Sequence, residues 1–128
     1  MVKHLEVVED KGVEVFNNNK HKGVWIVLYH ANWCYHCVNF MPIWKKLQSH
    51  LKKRNVNCAS IESEVISQTS PHVEIMGYPS IHLLKDGKLR KVYKEKDREI
   101  KTILKFIGNT KKHSKKKKLV KKKRSLKK

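Results

Sequence analysis

The apolar positions of this chain fall into short runs separated by polar stretches, and the period of each run predicts an element. Leu5, Val7 and Val8 predict a strand over residues 5–8. Residues 11–23 are polar and include three consecutive asparagines at 17–19, which reads as a loop with one short helix around 14–18. Val24, Trp25, Ile26, Val27, Leu28 and Tyr29 then form an unbroken apolar run. It is too short for a buried helix and apolar on both faces, so it predicts a central strand covered on both sides.

Val38, Met41, Ile43, Trp44, Leu47 and Leu51 recur at helical spacing within 32–53, and Pro42 inside that pattern predicts a kink. Residues 56–61 predict another strand, and 63–75 a weak helix ending in a loop before Gly77. Strands follow over 80–85 and 88–93, joined by Asp86-Gly87, a hairpin signal for a turn needing positive φ. Ile100, Ile103, Leu104, Phe106 and Ile107 lie on one stripe of a last helix, with Asp97 as its cap and Gly108 or Asn109 as its end. Strand–helix alternation up to the third strand favours parallel pairing with helical crossovers, and the hairpin adds an antiparallel edge. The expected fold is therefore α/β, a central mixed sheet between helical layers.

Charge changes this picture at one end. The 128 residues hold 30 Lys/Arg against 11 Asp/Glu, a net charge of +19. Twelve of those bases, and no acid, fall within 111–128, so residues 1–110 carry only +7. The expectation is one domain over 1–110 and a Lys-rich disordered tail over 111–128, which repels itself and has little apolar surface to bury. Lys115, Lys116, Lys117, Lys118, Lys121, Lys122, Lys123 and Arg124 form two basic blocks suited to nucleic acid or an acidic partner. No aromatic interleaves them, so binding there would be sequence-independent and salt-sensitive.

Other classes are excluded by counting. Three cysteines do not make a disulfide-dense scaffold. No apolar run approaches the roughly 20 residues of a membrane span, and no membrane partner is expected. The first residues lack the apolar stretch of about 7–15 residues that a signal peptide needs. A cytoplasmic monomer with mostly reduced thiols is the resulting expectation, and the tail would also suit a nucleus or a virus particle.

The chemistry concentrates in Trp33-Cys34-Tyr35-His36-Cys37, directly after the central strand. At a helix start, the first sulfur faces unpaired N–H groups and the positive end of the helix dipole, which stabilise a thiolate. Cys37 lies one turn inward and would attack a mixed disulfide formed at Cys34. So short a ring removes little chain entropy, so a reversible redox role explains the pair better than a staple does. Zinc normally needs two such pairs or a His pair at compatible spacing. Cys58 is alone in a strand and the histidines are scattered, so no metal is expected. Cys58, Trp25 and Trp44 read as core residues, and His30 as a packed or solvated one.

The stretch from Tyr29 to Cys37, then Pro42, Gly77-Tyr78-Pro79-Ser80 and Lys85-Asp86-Gly87-Lys88, resembles the thioredoxin fold superfamily. The motif is closest to a protein disulfide isomerase catalytic domain. This resemblance implies a thioredoxin-like three-layer fold and a thiol–disulfide oxidoreductase acting on protein thiols and disulfides without a cofactor. It implies Cys34 as nucleophile, Cys37 as resolving thiol, Pro79 as the family's cis-proline and Tyr78 as a backbone partner for an extended substrate. Trp33 matches the aromatic beside the site, and Tyr35 and His36 are the residues between the cysteines. Arg98 resembles a mobile arginine that tunes the resolving thiol.

The departures are Leu28, where the family has a buried acid that takes a proton from the resolving thiol, and Ser60, where thioredoxins commonly place a lysine. Loss of the acid predicts slower deprotonation of Cys37. A hydrogen bond or charge from His36 would stabilise the Cys34 thiolate and move the potential toward the isomerase end of the family range. Thioredoxin and disulfide isomerase lie about 90 mV apart, roughly 4 kcal/mol for two electrons. The alternative is a non-catalytic thioredoxin-fold adapter held on nucleic acid or an acidic partner by its tail.

Overall fold

A computed structural model describes residues 2–69 and 74–108. The basic blocks from Lys115 to Arg124, the proposed boundary at 110 and the alternative helix end Asn109 lie outside the described residues. The element order is β1 (His4–Val7), α1 (Asp10–Asn19), β2 (Val24–His30), α2 (Tyr35–Arg54), β3 (Asn57–Glu62), a 3-10 helix (Ser63–Gln68), β4 (Ser80–Lys85), β5 (Lys88–Val92) and α3 (Ile100–Ile107). The strands form one sheet in the order β1-β3-β2-β4-β5. β3 pairs in parallel with β1 and β2, whereas β4 runs antiparallel to both β2 and β5.

The unbroken apolar run explains the centre of this sheet. Side chains alternate along a strand, so Ile26 and Leu28 join Phe40, Trp44, Leu47 and Leu51 of α2 and Ile103 and Ile107 of α3 in one core. Trp25, Val27 and Tyr29 point the other way, into a second core with Val13 and Phe16 of α1 and with Val65 and Ile66. Cys58, Trp25 and Trp44 are buried. The sheet is thus covered on both faces, with the start of α2 at the end of β2.

Three elements differ from the pattern in the sequence. α1 spans Asp10–Asn19, twice the length expected, because burial of Val13 and Phe16 stabilises a helix that its polar composition leaves weak. Gly12 lets α1 lie close to β1: an added Cβ would stand 3.2 Å from the Val7 Cα. The helix expected from residue 63 is a six-residue 3-10 helix, ended at Thr69, whose hydroxyl donates to the Ile66 carbonyl at 2.6 Å. α3 is preceded by Glu99 rather than Asp97 at the cap position, yet the Asp97 carboxylate still accepts from the Glu99 N–H at 3.0 Å. α2 runs without interruption through Pro42. No described helix is long and apolar enough to cross a membrane.

Candidate active site

β2 ends at His30, and α2 begins at Tyr35 with Cys34 as its N-cap in extended conformation, φ −90° and ψ 114°. The Cys34 Sγ accepts a hydrogen bond from the Cys37 N–H at 3.1 Å. A sulfur thus takes the position that a serine or aspartate oxygen takes at other helix starts. The Cys34 thiol donates to the Tyr78 carbonyl at 3.6 Å. Both cysteines are free thiols, Cys34 7% exposed and Cys37 2%. They form a small cluster with Ala31, against which Tyr78 packs.

Burial pushes the Cys37 thiol up to about 11, and its hydrogen bond with Cys34 and the nearby Cys34 charge push the same way. A backbone hydrogen bond from Ala31 and the positive charge of Arg98 act in the opposite sense. Cys37 therefore keeps its proton at neutral pH. Cys34 is the sulfur that faces the helix start.

The remaining predicted residues divide between those drawn to the sulfurs and those turned to solvent. Trp33 is 74% exposed and meets the Tyr78 ring edge-on at 5.7 Å. Tyr35 is equally exposed and packs edge-on against His36 at 5.9 Å. His36 makes no hydrogen bond to either sulfur in this arrangement, because its position on the outer face of the first turn leaves the ring against Tyr35. The Tyr78–Pro79 peptide is cis. Arg98 is half-buried, and its charge reaches Cys37.

Leu28 and Ser60 are register partners on β2 and β3, both buried, with Leu28 in the α2-facing core. The site usually held by an acid is therefore apolar. Cys58 is fully buried, receives a hydrogen bond from the Gln48 amide at 3.7 Å and is pushed up to about 12 by burial, so it acts as a packing residue. Among the described residues, no group of three or more His, Cys, Asp or Glu could hold a metal ion.

One residue near the site carries no signal in the sequence. Glu62 is 6% exposed, and its carboxylate accepts from the Glu64 N–H and the Ser63 hydroxyl, each at 3.0 Å. Burial alone would raise its pKa. These bonds, a backbone bond from Asn32 and the adjacent His30 outweigh that and lower it. The bond from Asn32 ties the loop before the dithiol to the end of β3. His30 pairs with Glu62 across the sheet. Burial lowers its pKa, against the opposite pull of Glu62 and Glu6.

The thioredoxin family profile matches residues 6–109. The chain belongs to the thioredoxin family. It is 33% identical over 91 residues to protein disulfide-isomerase A4 of Mus musculus, an alignment covering 65% of this chain and 14% of that protein. It is 33% identical over 93 residues to a probable protein disulfide-isomerase ER-60 of Schistosoma mansoni, covering 71% of this chain and 19% of the relative. The chain thus spans less than a fifth of the length of these relatives. Among solved structures, the first thioredoxin domain of mouse protein disulfide-isomerase A4 superposes with a TM-score of 0.64 at 27% identity, over 79% of this chain and 71% of that one. This thioredoxin-family domain therefore shares its fold with catalytic domains of the disulfide isomerase type, in which thiol–disulfide exchange is the family-level activity.

Proposed function

We propose that this chain exchanges disulfides with protein substrates through Cys34 and Cys37. The observation that carries the reading is the Cys34 sulfur at the start of α2, hydrogen-bonded to the Cys37 N–H and beside the Tyr78 carbonyl. The Cys34 thiolate attacks one sulfur of a substrate disulfide, forming a mixed disulfide and expelling the other substrate sulfur as a thiolate, which takes up a proton. Cys37 then loses its proton and attacks the Cys34 sulfur, and the second substrate sulfur leaves. Two electrons pass from the dithiol to the substrate, and the reverse sequence delivers a disulfide to a substrate dithiol.

The Tyr78 carbonyl stands beside the reacting sulfur, ahead of the cis bond to Pro79, and there an extended substrate segment would pair with main-chain groups irrespective of its sequence. The exposed rings of Trp33 and Tyr35 supply apolar contact on the same rim. Arg98 serves as a positioning residue whose charge eases deprotonation of Cys37. The names of the relatives support the isomerase type of substrate, a protein thiol or disulfide.

Insulin reduction with dithiothreitol as electron source tests this reading. Cys34→Ser abolishes the activity, whereas Cys37→Ser stops turnover and accumulates a mixed disulfide visible by mass spectrometry. Wild-type protein no faster than dithiothreitol alone would refute it. Leu28 in the place of the buried acid favours a second reading, a thioredoxin-fold adapter without redox activity. That reading takes over if the thiols prove inert to exchange.

A further inference from the structure

On the α1 side of the sheet, away from the core that packs on α2, lies a cavity of about 500 Å³. Lys20, Tyr29 and His82 line it, with exposures of only 4%, 2% and 5%. Their side chains make ring contacts alone: the Lys20 ammonium stands 5.4 Å from the centre of the Phe16 ring, and the Tyr29 and His82 rings meet edge-on at 4.9 Å. Among the described residues, the ammonium, the phenol and the imidazole thus have no hydrogen-bond partner. Buried polar groups are rarely left so, because they lose hydration without recompense. All three offer donors. The dithiol mechanism uses none of them.

We propose that this cavity binds a small organic monocarboxylate with an apolar body. One ammonium matches one negative charge, and the phenol and imidazole supply further donors to the carboxylate oxygens. Among the described lining residues there is no second Lys or Arg to match a dianion. Phe16 and Leu84 form apolar wall, and the cavity exceeds what a carboxylate alone fills. Glu74 also lines it but is exposed, where solvent screens its charge.

Octanoate and 1-octanol, titrated into the full-length protein by calorimetry and by NMR of the His82 side chain, test the proposal. Octanoate is expected to saturate, shift the His82 resonances and bind about tenfold or more tighter than octanol, as a charge-assisted hydrogen bond requires. Lys20→Met removes that preference and leaves insulin reduction unchanged, and Lys20→Arg retains part of it. Equal affinity for octanoate and octanol, or no saturable shift, overturns the proposal. The wild-type comparison alone decides it if the Lys20 variants do not fold. A preference for octanoate that survives in folded Lys20→Met also overturns it.

Discussion

Arg98 and the Ala31 backbone oppose the burial that keeps Cys37 protonated, and in the proposed exchange this balance would set the pace of the resolving step. Arg98→Met removes one of the two opposing influences. The mixed disulfide at Cys34 is then expected to persist about two- to fivefold longer at neutral pH, the size of a partly exposed charge interaction. Mass spectrometry of quenched samples follows its lifetime, and the rate should climb with pH toward 11 in both proteins. Unchanged lifetimes would remove Arg98 from the mechanism. Leu28 gives a second test. Restoring an acid there by Leu28→Glu buries a carboxyl in an apolar core opposite Ser60, which supplies no positive charge. Urea unfolding is expected to show a loss of at least about 2 kcal/mol. At this scale the two cysteines were legible because a helix start imposes its electrostatics on whatever residue caps it. Glu62 and Lys20 were not, since an acid at a strand end and a lysine after a helix become special only when tertiary contacts bury them.

Elements were legible where one period dominated. The apolar run of β2 specifies burial by itself, and Asp86-Gly87 specifies its turn: Asp86 and Gly87 adopt φ of 50° and 86°. The stripe of α2 holds for Trp44, Leu47 and Leu51, whereas Val38 is exposed and Phe40, outside the stripe, is buried in the core. α1 was less legible because only Val13 and Phe16 of its ten residues are buried, so its length is decided by contact with the sheet. Gly12 records that contact. Gly12→Val drives a branched side chain into the Val7 backbone and should cost about 1–3 kcal/mol in denaturant unfolding. Gly12→Ala meets the same 3.2 Å approach but gains about 1 kcal/mol of helix propensity, so its net effect should be smaller. If the two variants were equally stable, α1 would not be held against β1 as closely as described. The weak helix expected from 63 is present as a short 3-10 helix, whose apolar positions Val65 and Ile66 are adjacent rather than spaced by a turn.

For the molecule as a whole, the shifted groups confine maximal stability to a window around neutral to mildly alkaline pH. Cys37 and Cys58 rise from 9.0 to about 11 and 12, and Tyr29 and Tyr93 from 10.0 to about 12, chiefly by burial. The unfolded chain loses these protons first, so stability is full below the unfolded values and falls as pH rises beyond about 9. His4, His30 and His82 shift the other way, again chiefly through burial, so the unfolded chain takes up protons first below 6.5. Stability falls there too, and further as pH drops through the lowered pKa of Glu62. Thermal melts across this range should trace a dome, and a flat acid limb would contradict the burial of the histidines. The domain is only mildly basic, whereas the segment beyond it is strongly so. We propose that the latter recruits nucleic acid. Replacing its eight clustered bases by glutamine in the full chain should lower affinity for any DNA sequence, and raising salt should erase the difference.

The sulfur cap of α2 has a thermodynamic corollary. A thiol or thiolate at Cys34 accepts the Cys37 N–H well, and a disulfide sulfur accepts it poorly. Whatever this hydrogen bond adds to the reduced fold relative to the oxidised fold must reappear, by closure of the cycle, as a higher potential than the same two cysteines have in the unfolded chain. Comparing how much denaturant the reduced and oxidised proteins withstand therefore reads the redox character without a redox buffer, about 1.4 kcal/mol of difference corresponding to 30 mV. A sturdier reduced protein makes this chain a giver of disulfides, and a sturdier oxidised one makes it a reductant.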